Sequence, residues 1–338
     1  MAGERGERPR LQPSVSDALV RAWFRRLSPA GSRARLSVVI LHRVRKTPDE
    51  LFPREIDAAG FRERVDWMRR WFNVLPLDDA VAAIARGRLP ERALCITFDD
   101  GYADNATVAL PILREAGVHA TFFVATSFLD GGRMWNDTVI EAVRAARGPR
   151  LDLATAGLGE HSIVTVAERR ATIDRLLVEL KYLEAERRER LADAVAAAAG
   201  EPLPDDLMMS SAQVCALAAE GMGIGAHTHT HPILARLDDP AVRQEIGTSR
   251  EVLAGVVHQP IELFSYPNGK PDTDYTRAQV RMVASLGFTA AVTTAPGAAR
   301  MGDSIHELPR FSPWDRTPLR YAARLGRNYT TSVARASA

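Results

Sequence analysis

The chain has 338 residues, enough for one large α/β domain or two ordinary ones, and 46% hydrophobic with 25% charged residues is an ordinary globular balance. A net charge of +2 gives no argument for nucleic acid as a partner. The two cysteines, Cys95 and Cys215, lie far apart and form no CxxC pair, which excludes a zinc–thiolate site and requires no oxidising compartment.

Residues 1–16 are polar and proline-interrupted, and no apolar run of ~7–15 residues follows, so no secretory leader is read. No stretch approaches the ~18 apolar residues of a membrane span. The expected location is therefore cytoplasmic, or peripheral to the cytoplasmic membrane. Within an N-terminal extension, 1–33, residues 17–27 form a short basic amphipathic helix. Val20, Trp23, Phe24 and Leu27 fall at helical spacing beside Arg21, Arg25 and Arg26. Docking on the parent domain is the expected state of such a helix, and peripheral contact with a membrane surface is the alternative.

The β-branched run 37–41 (SVVIL) reads as a strand ending at His42. Residues 61–72 form a helix with Phe61, Val65, Met68 and Phe72 on one face; 74–77 is a short apolar piece, and 78–85 is a helix. A strand at 93–98 runs into Asp99. A helix at 104–116 stops at Gly117, and 119–126 (HATFFVAT) is a strand. A helix at 135–147 and a single long helix at 167–199, ended by Gly200, make 133–210 an insertion between two strands. Ser210 or Ser211 caps the next helix. The rhythm resumes with strands at 223–226, 263–266 and 288–293, alternating with helices at about 240–254 and 274–286. A last extended piece at 308–311 precedes a terminal helix opened by Pro313, and a flexible tail, 329–338, frays. About seven strand–helix alternations predict an α/β fold with parallel strands and outer helices, closed or nearly closed as a barrel over 34–328. Chemistry in such barrels collects at the C-terminal strand ends.

Those ends carry two carboxylates and four histidines. Asp99 and Asp100 meet at a glycine turn, where Gly101 lets the chain bend without steric cost. They serve either as a cap for the following helix, with Asp104 as a further capping candidate, or as two carboxylates with different surroundings and different tasks. The run His227-Thr228-His229-Thr230-His231-Pro232 follows another strand. If it curls, His227 and His231 align while His229 points elsewhere, and Pro232 favours that geometry. Two imidazoles and one carboxylate with open positions suit catalytic zinc, and equally a non-haem iron.

TFDDGY at 97–102 followed by HTHTHP at 227–232 resembles the first two motifs of the polysaccharide deacetylases, also called the NodB homology domain or carbohydrate esterase family 4. The resemblance runs from about residue 37 to about 312. It implies a deformed (β/α)7-type barrel, with Asp100, His227 and His231 as metal ligands and Asp99 as general base. The backbone N–H of Tyr102 would help bind the oxyanion. The family's Arg-Pro-Pro-Tyr motif is absent. Instead Phe264-Ser265-Tyr266-Pro267-Asn268-Gly269 is similar to a segment of the circularly permuted branch that acts on poly-N-acetylglucosamine, and Arg310 would supply the missing guanidinium. The late Leu-x-His motif carrying the general acid is not clear. In that branch it moves to the first strand, where Ile40-Leu41-His42-Arg43-Val44 is similar to it. His42 is therefore the expected acid, with His306, or a purely structural His42, as alternatives. Trp135-Asn136-Asp137 resembles a loop lining the sugar groove.

The implied activity is hydrolysis of N-acetyl groups on an N-acetylated polysaccharide or glycan precursor, with a divalent metal as cofactor. Zinc is expected first, with cobalt, manganese, nickel and iron open. The products are acetate and a free amino sugar. Sugar O-acetyl esterase or deformylase activity on the same fold is the alternative, as is a non-catalytic carbohydrate-binding protein. A cytosolic enzyme would meet a lipid-linked sugar or nucleotide-linked precursor before an exported polymer.

Overall fold

A computed structural model describes residues 15–312 and 314–337. The polar segment 1–14 and the helix-opening role given to Pro313 fall outside the described residues. The chain begins with α1 (Val15–Leu27), then β1 (Arg35–Leu41), α2 (Ala58–Trp71), β2 (Asn73–Val74), α3 (Leu77–Ala85) and β3 (Ala93–Phe98). Next come α4 (Leu110–Ala116) and β4 (Thr121–Val124). The insertion holds α5 (Trp135–Ala145), a hairpin of β5 (Arg150–Leu153) and β6 (Gly159–Ser162), α6 (Val166–Leu180) and α7 (Ala185–Ala199). The barrel resumes with α8 (Ser211–Ala219), β7 (Gly223–Ala226), α9 (Asp239–Val257), β8 (Leu263–Ser265), α10 (Arg277–Ser285), β9 (Ala290–Val292), β10 (Ala299–Arg300) and α11 (Pro318–Asn328).

The staves β1, β3, β4, β7, β8 and β9 pair in that order, all in parallel, and β10 lies antiparallel on the start of β1. The extended piece at 308–311 supplies the closure. Leu308 bridges Val292 of β9 and Phe311 bridges Val39 of β1, both in parallel. The expected deformed α/β barrel is the observed one, with helices covering the outside. Because all six staves run the same way, their C-terminal ends open on one face. The register pairs Leu41 with Phe98, so His42 and Asp99 leave adjacent strands side by side.

Local chemistry explains the boundaries. Asp57 caps α2 by accepting the Gly60 N–H, and Ser210 caps α8 in a reciprocal box with Gln213. Gly117 ends α4 in the left-handed conformation. Inside, Phe98 stacks on Phe122 at 4.8 Å and meets the edge of Phe61 at 5.7 Å. Truncating such a buried ring costs about 3–5 kcal/mol.

The structure corrects several expectations. The segment 104–116 opens as a π-helical turn, Asn105–Ala109, before α4. The single helix expected at 167–199 is two, because the Glu184 side chain accepts the N–H groups of Glu186 and Arg187 and starts α7 afresh. The terminal helix begins at Pro318, behind Thr317. The tail expected to fray is docked: Tyr329 is buried, Ala336 donates to Glu307, and Ser337 bonds Asp272. The insertion has its own apolar cluster, with Val139, Ile173, Leu176 and Val195 buried together. Helix α1 is docked through Phe24, whose ring lies 4.5 Å from Phe72, and through Asp17, which accepts the Trp71 indole N–H at 2.6 Å.

Candidate active site

The turn after β3 is strained. Asp100 and Gly101 take φ of +76° and +92° in succession. A Cβ on Gly101 would stand 2.9 Å from Val124 Cγ1, so only glycine fits there. A non-glycine residue held at positive φ marks a position where the surroundings impose a conformation. Its effect is to send Asp99 and Asp100 in different directions.

Asp100 faces two imidazoles. Its Oδ1 lies 3.3 Å from His227 Nε2 and 3.4 Å from His231 Nε2. After β7 the chain curls, with Thr228 and His231 at φ of +63° and +57°, and the Thr228 hydroxyl accepts the His231 N–H at 3.1 Å. That curl brings the His227 and His231 rings to 4.8 Å between centroids. His229 points away, its Nδ1 2.9 Å from the Thr126 hydroxyl. His227 Nδ1 lies 2.7 Å from the Ser265 carbonyl, which can only accept, so the neutral ring turns its Nε2 lone pair towards Asp100.

Three electron-pair donors therefore converge, all within 4.8 Å of one another. Ligands about 2.1 Å from a tetrahedral ion stand about 3.4 Å apart, so the spacing suits a divalent cation. Burial works against ionisation of Asp100, yet the surrounding imidazoles of His227, His42 and His231 favour its anion and hold the carboxyl well below the usual range. Burial pushes His231 down to about 4 against the pull of Asp100, which leaves its imidazole neutral and able to ligate.

Asp99 has a different environment. It is buried, and Arg310 grips it bidentately, Nη1 to Oδ1 at 2.7 Å and Nη2 to Oδ2 at 2.6 Å. Ser265 donates to Oδ2 at 3.1 Å. Arg310 is itself fixed by the Thr293 carbonyl, at 2.8 Å, and the Thr97 hydroxyl. Burial works against ionisation of Asp99, yet Arg310 overrides it and holds the carboxyl below the usual carboxylate value. Asp99 Oδ2 lies 3.9 Å from His227 Nε2, so the clamped carboxylate adjoins the donor triad.

Tyr102 follows the turn. Its phenol donates to Asp137 at 3.0 Å, and Arg43 lies 4.5 Å above its ring. Among the described residues no protein acceptor meets its backbone N–H. His42 is exposed at the rim and lines a cleft of about 390 Å³ together with Asp99, Asp100, His227 and His231.

The polysaccharide deacetylase family model matches residues 86–151 and 188–291, half of the chain. The chain belongs to the polysaccharide deacetylase family. It is similar to YxkH of Bacillus subtilis (strain 168), provisionally named a polysaccharide deacetylase, with 20% identity over 306 residues, which are 90% of this chain and 79% of that protein. Among solved structures, the Streptococcus pyogenes deacetylase PplD, in complex with acetate, superposes with a TM-score of 0.57 and 17% identity over 87% of this chain and 98% of the other. IcaB from Ammonifex degensii superposes at 0.55 with 18% identity, covering 87% and 98% of the two chains. These likenesses show the same fold.

The remaining residues of this deacetylase sort by distance from the triad. His306 lies outside the cleft, its Nε2 2.9 Å from the Phe288 carbonyl, in a separate hollow with Ile84 and Met301. Trp135 and Asn136 line the cleft beside the triad. Asp137 turns inward, and burial pushes its carboxyl up to about 7. Ser265 has no evident task in the sequence. It touches Asp99 and Arg310 with its hydroxyl and His227 with its carbonyl. A small polar residue inside a buried strand was the available signal. Lys181 and Arg188 of the insertion also line the cleft, and nothing local in their helices marked them.

Proposed function

We propose that this deacetylase hydrolyses the N-acetyl amide of a glycan or glycan precursor, with a divalent metal, zinc first, at Asp100, His227 and His231. The observation that carries the reading is the convergence of those three donors beside an arginine-clamped Asp99 in one cleft. A cation held there would lower the pKa of water towards ~7 and polarise the amide carbonyl. Asp99, kept ionised by Arg310, accepts a proton from the attacking water. The Tyr102 N–H donates to the developing oxyanion. His42, as imidazolium, gives a proton to the leaving nitrogen, because an amide anion is too poor a leaving group. One water is consumed: its hydroxyl ends on acetate, its proton on Asp99, and the His42 proton on the amine. Positioned acid–base groups contribute about 10²–10⁴-fold each.

Helix α1 supports work at a membrane surface. Phe24 anchors it, while Leu19 and Trp23 are 67% and 41% exposed beside exposed Arg25 and Arg26. Among the described residues no helix is long and apolar enough to cross a membrane. An apolar strip with basic flanks suits contact with anionic lipid, and a lipid-linked sugar would be met there.

Acetate release from a panel of N-acetylated glycans, sugar phosphates and lipid-linked sugars tests the reaction. Release is expected with metal, lost with chelator and restored by added zinc. Release only from O-acetylated sugars would move the chain to the esterase reading, and turnover indifferent to chelator would remove the metal from it.

A further inference from the structure

The cleft continues past the triad under the insertion, and the wall there is cationic. Arg188, near the start of α7, and Lys181, just past the end of α6, both line it. Arg188 is only 8% exposed, and its Nε has no hydrogen-bond partner among the described residues. Its guanidinium carbon lies 5.3 Å from the centroid of the Trp135 ring, a contact that leaves its charge in place, and Glu184 and Glu189 act on it only through space. Among the described residues neither Arg188 nor Lys181 forms an ion pair within 4 Å, although arginines elsewhere in the insertion do: Arg144 pairs with Asp49 and Arg147 with Glu201.

Arg188 Nε is shut in, so a ligand in the cleft would meet the two Nη groups, and a largely buried guanidinium is costly unless a counter-charge is supplied to it. A neutral sugar offers hydroxyls but no compensating charge. The forked donors of arginine match phosphate and carboxylate oxygens, and a lysine at the same wall adds a second positive charge. Leu177, Val178 and Ile233 line the cleft beside them, so the subsite is apolar as well as cationic.

We propose that Arg188 and Lys181 form an anion subsite next to the reaction centre, which selects N-acetylated sugars carrying a phosphate or carboxylate on or beside the reacting residue. This rests on the deacetylase reading for its link to turnover, but not for the binding itself. The subsite explains why the insertion leans over the cleft: α6 and α7 bring a charge pair that the barrel alone does not supply.

Binding and turnover are measured separately on the full chain. The probes are N-acetylglucosamine 1-phosphate, a glucuronate-containing N-acetylglucosamine disaccharide, and neutral di-N-acetylchitobiose, titrated calorimetrically into wild type, Arg188→Gln, Arg188→Lys and Lys181→Gln. At least one anionic probe is expected to bind about tenfold tighter than the neutral one. That preference shrinks in Lys181→Gln, collapses in Arg188→Gln and partly returns in Arg188→Lys, while binding of the neutral probe stays within a few-fold. The phosphate and carboxylate arms report which anion is taken. Equal binding of neutral and anionic probes, no detectable binding of either anionic probe, or a preference that survives both glutamine variants would each overturn the subsite. Lys181→Gln, on a half-buried surface residue, keeps the test sound if Arg188 variants fold poorly. Acetate release is then scored on the same probes. Tight anion binding without release would sink the deacetylase reading and leave the subsite standing.

Discussion

Asp99 and Asp100 are adjacent in sequence and separated in surroundings by one strained turn. Arg310 holds Asp99 by both oxygens, whereas among the described residues Asp100 has two imidazole nitrogens before it and no guanidinium. Because Arg310 lowers the Asp99 pKa, ionisation of Asp99 in the folded state is complete at a lower pH than in the unfolded chain. The stability this contributes is present above the unfolded value, about 3.9, and is lost as pH falls through the folded one. Arg310→Lys keeps the charge and loses the bidentate fork, so burial regains weight and the Asp99 pKa rises. The acid limb of kcat/KM against pH should move upward, with a loss of roughly 10–100-fold at pH 6 and less at pH 8. Metal content by elemental analysis should not change. An unmoved acid limb would detach Arg310 from the base. The pairing of Arg310 with Asp99 was only partly legible in the sequence: the two lie 211 positions apart, and only the resemblance to a family pattern suggested that an arginine was wanted.

Elements bounded by glycine or a serine cap were read well, whereas a glutamate cap, short polar strands and the facing of an amphipathic helix were not. The strand 223–226 coincides with β7, and Ser210 does cap α8. The run 167–199 gives no such sign, since Lys181-Tyr182-Leu183-Glu184 contains neither glycine nor proline, and the break depends on Glu184 turning back to cap α7. The hairpin of β5 and β6 was missed because its strands are four residues each, β5 only half apolar and β6 without an apolar side chain. Helix α1 shows both sides of this. Its amphipathic spacing was visible, but which apolar residues face inward was not: Phe24 is buried, while Leu19 stays outside. That outer strip predicts lipid contact. Wild type should co-sediment with vesicles containing phosphatidylglycerol and not with pure phosphatidylcholine, and the loss with salt should be steep. Leu19→Glu with Trp23→Glu should reduce the bound fraction several-fold while acetate release from a soluble substrate persists. Equal binding of the double variant would leave α1 a purely docked helix.

At the scale of the whole molecule, the site depends on how the barrel is closed. The seventh stave, 308–311, joins β9 to β1 and carries Arg310 to Asp99. Two residues before this stave's proline, Glu307 is buried and holds three partners: Arg277 at 2.7 Å, the Tyr275 hydroxyl, and the backbone N–H of Ala336 at 2.9 Å. Ser337 fastens the same tail to Asp272 through two further hydrogen bonds. The tail thus buttresses the strand that aims the clamp, a link the sequence could not display because residues 329–338 have no apolar periodicity. Deleting residues 331–338 leaves α11 and buried Tyr329 in place and removes those bonds, each worth about 1 kcal/mol, so stability should fall by roughly 2–3 kcal/mol in urea unfolding. The stave would then hold Arg310 less firmly. The kcat should fall several-fold while KM and metal content change little, because the displaced group acts on Asp99 and not on the triad or the cleft wall. A truncated chain as active as the full one, despite the lost stability, would show that the closure of the barrel positions Arg310 without help from the tail.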